Sequence, residues 1–334
     1  MKVDVTVIGS GVTGLTVAHV LSRDLSVCVI EKEDRLGGLA WQLGCKATDV
    51  CLYCGVCHAL NMKAAGRSPL AESFPVRLNE NIVSVHRVND RLLLATSRQE
   101  EIETRCVVLA TGVRPYPAEK TSNLGYRKYP AVFTGFDIEQ GLNEGILDIF
   151  ASYRYVAFIQ CVGSRSFKEK RGYCSRVCCR YALRIAENLK YRYPDLTIDF
   201  FYMDLQLLGG KKEKLEEIAR SRVRLCRFIP FRTEEQGGKL ALMFENETKV
   251  VRELYDAVIL SVGMIPSTDT LELGRLFQIN FRSDGFIRNY GQGKSSRNNV
   301  YVAGTAWGPN DIEGSIRDAR RVAETVVREV KTGG

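Results

Sequence analysis

The start of the chain carries the pattern that most restricts how this sequence can fold. Residues 3–8 alternate as a buried strand does and lead into Gly9–Gly14, which has the spacing G-x-G-x-x-G. A helical stretch follows, and a second strand, 26–30, ends at Glu31. This order predicts a βαβ unit that binds a dinucleotide, because Gly11 lets backbone amides approach a pyrophosphate and Glu31 can accept from ribose hydroxyls.

Further along, the chain supplies more strands that suit the same domain. Runs at 82–87, 91–97 and 104–109 predict three strands in a meander. Near the end, the strand-like run 299–305 precedes a helix that begins at about Ile312, where apolar residues recur at helical spacing.

The segment 116–262 lies between these pieces. It opens with a linker-like stretch, 116–140. Its predicted elements are strand 155–160, helix 180–191, strand 197–202, helix 211–220 and strand 223–228. We therefore predict an α/β fold in which 1–115 and 263–334 form one domain, and 116–262 is a second Rossmann-type domain inserted into it.

Length and composition agree with a soluble two-domain protein. The chain has 334 residues, of which 45% are hydrophobic and 26% charged. No apolar run reaches the length of a membrane span, and no leader with an apolar region and a cleavage site follows Met1. The sequence predicts a cytoplasmic location without direct membrane insertion.

Four cysteines occupy the turn where the second Rossmann-type unit would need its own glycine motif. Cys161, Cys174, Cys178 and Cys179 have the spacing C-x12-C-x3-C-C and lie between the predicted strand and helix. Four thiolates are the ligand set of a [4Fe-4S] cluster. Zinc is the alternative, because four cysteines also suit that ion. Neighbours such as Cys178 and Cys179 are poorly placed for a relaxed disulfide.

A second group of four, Cys45, Cys51, Cys54 and Cys57, follows the double glycine that ends at Gly38. Its spacing, C-x5-C-x2-C-x2-C, contains the close repeat of ferredoxin-like sites and predicts a second cluster. A redox disulfide between Cys45 and Cys51 is the alternative, because a Gly-Cys at this position resembles the redox pair of the glutathione reductase group. The other cysteines, Cys28, Cys106 and Cys226, are predicted to be packing residues.

These motifs together resemble the flavoproteins with two dinucleotide-binding domains, the thioredoxin reductase type. The resemblance implies bound FAD. The residues it places around FAD are Gly9, Ser10, Gly11, Gly14, Glu31, Lys32, Gly38, Leu39, Ile82, Ala110, Thr111, Gly112, Gly304, Thr305 and Ile312. One departure is visible: the family usually has Gly-Asp where this chain has Gly304-Thr305, so a contact to the ribityl or phosphate end must be made differently. Reduction by NAD(P)H is not expected, because the second glycine turn is missing.

The segments Cys-Val-Gly-Ser-Arg at 161–165 and Tyr-Cys-Ser-Arg-Val-Cys-Cys at 173–179 resemble the A subunit of heterodisulfide reductases. This resemblance implies that the four cysteines Cys161–Cys179 hold a [4Fe-4S] cluster, and with the second group two clusters are expected per chain. It also implies partner subunits of the B and C types, and a homodimer is expected.

The chain departs from the long form of that family, because no ferredoxin-like cysteine motif follows Cys226. It looks most like the short A subunit of the heterodisulfide-reductase-like complex of sulfur oxidisers. The predicted function is an electron-transfer subunit that divides two-electron flavin chemistry into single-electron steps. The alternatives are an A-type subunit of the quinone-interacting oxidoreductase of sulfate reducers and a stand-alone FAD disulfide reductase that uses Cys45 and Cys51. No catalytic side chain is assigned for the electron-transfer function.

The formal net charge of +8 does not predict a nucleic-acid partner. A [4Fe-4S] centre with four thiolates and a bound FAD each contribute about −2, so two clusters and one flavin leave about +2. No platform of interleaved basic and aromatic residues is present. Arg176 and Arg180, four residues apart, are expected to share a helix face that offsets cluster charge or contacts solvent.

Overall fold

A computed structural model describes residues 1–43, 74–144, 148–207 and 212–332. These residues divide between two units. The described part of unit 1 is 1–42, 74–114 and 265–332, and the described part of unit 2 is residue 43 and 115–264 apart from the gaps given above. The described chain passes between the units at 42–43, 114–115 and 264–265, and residues 115–264 of unit 2 are inserted into the sequence of unit 1.

The described strands, in chain order, are β1 Lys2–Ile8, β2 Val27–Ile30, β3 Val76–Arg77, β4 Ile82–Val88, β5 Arg91–Thr96, β6 Glu101–Leu109, β7 Val113–Pro115, β8 Val132–Thr134, β9 Tyr155–Val162, β10 Thr197–Phe201, β11 Arg224–Cys226, β12 Arg232–Gln236, β13 Lys239–Glu245, β14 Val250–Tyr255, β15 Ala257–Val262, β16 Met264–Pro266 and β17 Val300–Val302. The described α-helices are α1 Val12–Leu21, α2 Gly135–Glu144, α3 Cys178–Arg192, α4 Lys212–Arg222, α5 Thr268–Leu276 and α6 Ile312–Thr332. Short 3-10 turns include Gly38–Gln42 and Gly304–Ala306.

Unit 1 is built on a sheet with the strand order β3-β2-β1-β6-β5-β4, in which β17 also pairs with β6. The long strand β6 changes partner along its length: its first half pairs with β5 and its second half with β17. β1, β2, β6 and β17 are parallel. Their near-continuous apolar residues are buried on both faces, as a parallel sheet requires. One face packs on α1 and α6, whose apolar residues share a core with β1 and β2.

Unit 2 contains a five-stranded parallel sheet with the order β11-β10-β9-β15-β8. Helix α3 covers one face, where its residues form a core with Phe158 of β9 and Phe200 of β10. The two rings stack with their centroids 5.9 Å apart. Strands β12, β13 and β14 form a separate antiparallel sheet.

The linker-like interpretation of 116–140 is wrong for its last part. Residues 132–134 form β8, which pairs with β15, and residues 135–140 belong to α2. A strand of three residues is too short to show periodicity, and glycines at 135 and 141 lower the helix propensity of α2. Tertiary pairing therefore decides the structure here.

Asp256 joins the starts of two central strands of unit 2. Its carboxylate accepts hydrogen bonds from the N–H groups of Arg154 and Tyr155 at 2.7 and 2.8 Å, and the Lys239 ammonium lies 3.0 Å away. Burial opposes ionisation of this carboxyl, but the two backbone hydrogen bonds and Lys239 outweigh it, so the pKa of Asp256 lies below its usual 3.8.

We predict that Asp256→Asn lowers the free energy of unfolding by about 1–2 kcal/mol near pH 7. Because the folded-state pKa is depressed, the stabilisation by the carboxylate is present above the unfolded-state pKa and is lost as the pH falls through the folded value. Denaturation at several pH values should show the gap to wild type closing below about pH 4. Asp195→Asn is the control, since that side chain is 88% exposed. An equal gap at every pH would contradict the assignment.

Candidate functional site

The predicted dinucleotide residues of unit 1 follow four parallel strands. β1, β2, β6 and β17 end at Ile8, Ile30, Leu109 and Val302. Because the strands are parallel, their carboxyl ends lie at one edge of the sheet. In open α/β sheets, ligands bind outside this edge. The residues that follow these strands are Gly9–Gly11, Glu31–Lys32, Ala110–Gly112 and Gly304–Thr305.

The glycine turn is packed too tightly for side chains at two positions. Gly9 has φ +103°, and a Cβ there would lie 2.6 Å from the carbonyl oxygen of Ala110. A Cβ on Gly14 would lie 1.8 Å from the carbonyl oxygen of Gly9. Both clashes involve backbone atoms, which cannot rotate away. These glycines therefore allow α1 to start directly against the end of β1.

Gly11 has a different environment. It is the N-cap residue of α1, with φ −65°, and a Cβ built on it would meet no atom within 4 Å. The open space lies at the N-terminal end of the helix, where unpaired N–H groups favour a negatively charged group. Gly38 comes close on one side, because its Cβ would lie 3.1 Å from the Cα of Gly11. This geometry fits a pyrophosphate against the turn.

Glu31 is buried and faces back into the turn. One carboxylate oxygen accepts hydrogen bonds from the backbone N–H and the hydroxyl of Ser10, both at 2.7 Å, and the other accepts from the N–H of Glu33 at 3.0 Å. Lys32 forms an ion pair with Asp269 at 2.8 Å. Ile82 is buried in the core beside Cys28 and Ile30, two residues after Glu80, whose N–H bonds to the carbonyl of Glu31.

The residues after β6 and β17 also come close to the glycine turn. Gly304 has φ +61°, and a Cβ there would lie 2.1 Å from the hydroxyl oxygen of Thr13 in α1. A Cβ on Gly112 would lie 3.8 Å from the hydroxyl of Thr305. Leu39 lies in the 3-10 turn after Gly38, and Ile312 is the first residue of α6. Thus the predicted set, apart from the side chain of Ile82, gathers around this edge.

Asp318 is a site residue that the sequence analysis missed. It lies in α6 and is 3% exposed. One carboxylate oxygen accepts from the N–H of Gly304 at 2.8 Å and from the indole N–H of Trp307 at 3.0 Å. Its second oxygen lies 3.3 Å from Arg321. In the sequence, an acidic residue beside the apolar face of α6 could have indicated this role, because a buried carboxylate requires a partner. Asp318 holds the backbone at the point where the chain departs from the Gly-Asp of the thioredoxin reductase type.

The first cysteine group lies at the corresponding edge of the sheet in unit 2. Cys161 is near the end of β9, Cys174 is in the following loop, and Cys178 and Cys179 are the first residues of α3. Cys178 and Cys179 are buried, and Cys161 and Cys174 are partly exposed. The thiol of Cys178 points at the carbonyl oxygen of Val262, 3.5 Å away.

The thiols are close enough to influence one another electrostatically. Burial, together with the neighbouring thiols of Cys179 and Cys174, raises the pKa of Cys161 to about 11. Burial and the other three thiols raise the pKa of Cys178 well above its usual value. Cys161 and Cys178 therefore favour the protonated thiol, and a metal that bound them would have to displace those protons.

Positive groups surround these thiols. The backbone N–H of Arg176 donates to the sulfur of Cys174 at 3.3 Å. The guanidinium of Arg165 lowers the pKa of Cys161, which opposes the effect of burial. The first turn of α3 adds the positive end of a helix dipole. Arg180 is 4% exposed, which excludes the solvent-facing interpretation. Arg176 precedes α3, so the predicted shared helix face is wrong.

The backbone of this loop is unusual. Cys161, Arg165, Lys170 and Arg176 all have φ between 55° and 65° although none is glycine. Such residues cost about 1 kcal/mol or more each and cluster at functional sites. At Gly163, a Cβ would lie 2.0 Å from the ring of Tyr116. The loop therefore keeps a strained shape around the cysteines.

Among the described residues, no group of three or more His, Cys, Asp or Glu side chains is arranged to hold a single metal ion. The thiolates of a [4Fe-4S] centre bind to the irons of a cluster and need not converge on one ion. The iron–sulfur site therefore stays a prediction. Cys45, Cys51, Cys54 and Cys57 lie outside the described residues. Cys28 and Cys106 are buried, and Cys226 is partly buried.

Comparison with solved structures shows that the chain has the fold of thioredoxin reductases. The thioredoxin reductase of T. acidophilum matches with a TM-score of 0.65 over 98% of both chains at 16% identity. That of Lactococcus lactis matches with a TM-score of 0.65 over 99% of this chain and 100% of the other at 15% identity. The family model of the NAD(P)-binding Rossmann-like domain matches residues 7–42. The predicted thioredoxin reductase-like α/β fold is confirmed.

Sequence comparison identifies relatives. The A subunit of the ferredoxin:CoB-CoM heterodisulfide reductase of Methanosarcina mazei is 32% identical over 251 residues, 70% of this chain and 31% of that protein. The A subunit of the H(2):CoB-CoM heterodisulfide,ferredoxin reductase of Methanothermobacter thermautotrophicus is 31% identical over 241 residues, 67% of this chain and 36% of that protein. This chain is a homologue of heterodisulfide reductase A subunits. The resemblance predicted from the cysteine motif is confirmed, and the match spans about a third of the length of these relatives.

Among the described helices of this homologue, none is long and apolar enough to cross a membrane.

We predict that two alanine substitutions in the glycine turn differ in their effect on thermal stability. Gly14→Ala should lower the Tm by about 5 °C, because its Cβ would overlap a backbone carbonyl. Gly11→Ala should leave the Tm of the ligand-free protein within about 2 °C of wild type, because the new methyl enters open space at an allowed φ. Differential scanning calorimetry of ligand-free protein measures both. Equal destabilisation by both variants would contradict the geometry.

Proposed function

We propose that this chain is an electron-transfer subunit of a heterodisulfide reductase-like complex, with non-covalent FAD in unit 1 and a [4Fe-4S] cluster in unit 2. The proposal rests on the residues that lie at the carboxyl ends of the parallel strands in the two units. In unit 1 these residues include a glycine turn, and in unit 2 they include Cys161, Cys174, Cys178 and Cys179. A protein that joins these two groups would exchange electron pairs at the flavin and single electrons at the cluster.

Residues of unit 1 would hold the FAD by its phosphates, ribose and ring. The amides at Gly11 and the start of α1 would donate to the pyrophosphate. Glu31 would accept from the ribose hydroxyls of the adenosine, in place of part of its bonding to Ser10. Asp318 would keep Gly304 in its left-handed conformation beside Thr13. Lys32 forms an ion pair with Asp269, so it would help to shape the part of the FAD site that holds the adenosine.

Residues of unit 2 would hold the cluster through four cysteine thiols, which would lose their protons and bind the irons as thiolates. The charge near −2 of such a centre would be balanced by Arg165, by the buried Arg180 and by the dipole of α3. The N–H of Arg176 would remain bonded to the sulfur of Cys174. The positive charge and the strained backbone beside these cysteines favour a bound cluster over cysteines that serve only as packing residues.

The wider assignment also belongs to the proposal. A second cluster would be held by Cys45, Cys51, Cys54 and Cys57. The chain would form a homodimer in the cytoplasm. This homodimer would exchange electrons with B- and C-type subunits. The resemblance to the sulfur-oxidiser complex favours a role in the oxidation of thiol, disulfide or sulfane sulfur. FAD with iron–sulfur clusters is the cofactor set that this role requires.

Reciprocal substitutions test the two cofactor sites. In protein prepared anaerobically, Cys178→Ala should remove about four irons per chain and leave FAD bound, because the glycine turn belongs to unit 1. Gly11→Ala should remove FAD and leave the iron content unchanged, because a methyl fills the space for the pyrophosphate. Iron, acid-labile sulfide and released flavin are quantified for both variants.

Cys226→Ala is the matched control, since this partly buried cysteine of unit 2 lies outside the motif. It should retain both cofactors. Loss of iron in the control equal to that in Cys178→Ala, or unchanged iron in Cys178→Ala, would contradict the assignment of the cluster to the motif.

A further inference from the structure

A short β-hairpin projects from the cysteine motif of unit 2. We name residues 163–173 the cysteine hairpin. Its strands are joined by Arg165 N–H to the Tyr173 carbonyl at 3.0 Å and by paired bonds between Ser166 and Arg171 at 2.9 Å. Cys174 directly follows it, and Cys161 lies two residues before its first residue. Any molecule that contacts the hairpin therefore lies within a few residues of the predicted cluster.

The base of the hairpin is firmly held. The guanidinium of Arg171 lies 4.7 Å from the centre of the Tyr116 ring, and its Nε donates to the carbonyl of Gly163 at 2.9 Å. Tyr116 itself is 2% exposed and packs against the backbone of Gly163. The hydroxyl of Tyr173 donates to the carbonyl of Met264 at 2.9 Å. These contacts hold the tip in a fixed orientation. Less conformational entropy of the tip would therefore be lost when a partner binds it.

The tip carries an aromatic side chain that the fold does not bury. Phe167 is 88% exposed, more than any other large hydrophobic residue in the described part of the chain. The ring lies over Gly172, where a Cβ would be 2.8 Å from it. A rigid, exposed aromatic ring on a pre-formed turn is the type of residue that anchors protein interfaces.

The charges around Phe167 are positive. Residues 163–176 contain five basic side chains and one acidic one, a formal charge of +4. Arg165 and Arg171 pair with Asp204 and Glu169. Lys168, Lys170 and Arg176 are exposed, and none forms an ion pair with another described residue. The unneutralised cations complement an acidic partner.

We propose that the cysteine hairpin is the docking surface for a protein that has an acidic face and carries a one-electron redox centre. The partner covers Phe167 and places carboxylates against Lys168, Lys170 and Arg176. This inference rests on the proposed function, because only a cluster between Cys161 and Cys179 gives a partner at this position an electron to exchange. A cluster held by Cys161, Cys174, Cys178 and Cys179 would then lie near the partner's centre and supply the exchange of one electron, with no bond made or broken.

The test is a binding titration of the anaerobic holoprotein with an acidic plant-type [2Fe-2S] ferredoxin, at low and at physiological salt. Phe167→Ala should weaken binding about tenfold. Lys168→Glu should weaken it about fivefold at low salt and reduce its salt dependence. Two exposed residues of unit 2 provide matched controls, Tyr191→Ala at 59% exposure and Lys249→Glu in the turn after β13. Both should bind as wild type does.

Several outcomes would overturn the docking proposal. The proposal fails if the ferredoxin does not bind, or if the test and control variants weaken binding equally. It also fails if the basic protein cytochrome c binds with equal affinity, or if a single-stranded oligonucleotide binds more tightly at the same residues. Iron and sulfide measured in the same preparation are read separately. Their absence refutes the proposed function, whereas their presence without hairpin-dependent binding refutes only the docking surface.

Discussion

The approach of the Gly14 Cα to the Gly9 carbonyl is the contact on which the organisation of unit 1 depends. A single methyl at residue 14 would lie 1.8 Å from that oxygen. Because the contact is so close, α1 can begin at the end of β1 and direct its first N–H groups to the sheet edge. Residues after β2, β6 and β17 then surround the same space, because all four strands are parallel. The chemistry of that space is therefore set by backbone groups more than by side chains.

Unit 2 uses the same strand-to-helix arrangement for a different ligand type. β9 ends and α3 begins around one turn, but the turn contains thiols and left-handed non-glycine residues. The left-handed conformation of Cys161, Arg165, Lys170 and Arg176 costs about 1 kcal/mol or more at each residue. A cluster that bonds to both ends of the loop would offset that strain. The buried Arg180 would offset its charge.

Much of this arrangement could be predicted from the sequence. The βαβ unit, the strand before Cys161 and the helix after Cys179 are marked by apolar runs of suitable length, and their positions follow from these runs. The glycine spacing also predicts which residues meet at the edge of the sheet, because parallel strands bring their carboxyl ends together.

Other features were not obtained in this way. β8 has only three residues, and its pairing with β15 comes from tertiary structure. The antiparallel strands β12 and β13 were missed although Gly237 and Gly238, both with positive φ, form a two-residue hairpin turn that the sequence signals. Asp318 could not be found by periodicity, because its role depends on the N–H of Gly304 from a distant strand end. The exposure of Phe167 likewise depends on how the cysteine hairpin folds back on Tyr116.

The central claim is that the cysteine motif of unit 2 holds an electron-carrying cluster in a flavoprotein. Electron paramagnetic resonance of the wild-type protein, prepared anaerobically and reduced with dithionite, tests it most directly when iron, zinc, acid-labile sulfide and flavin are quantified on the same sample. The account predicts the signal of a reduced [4Fe-4S] centre, equimolar iron and sulfide, and stoichiometric FAD. Stoichiometric zinc without acid-labile sulfide, and no signal on reduction, would contradict it and leave a flavoprotein with a structural metal site.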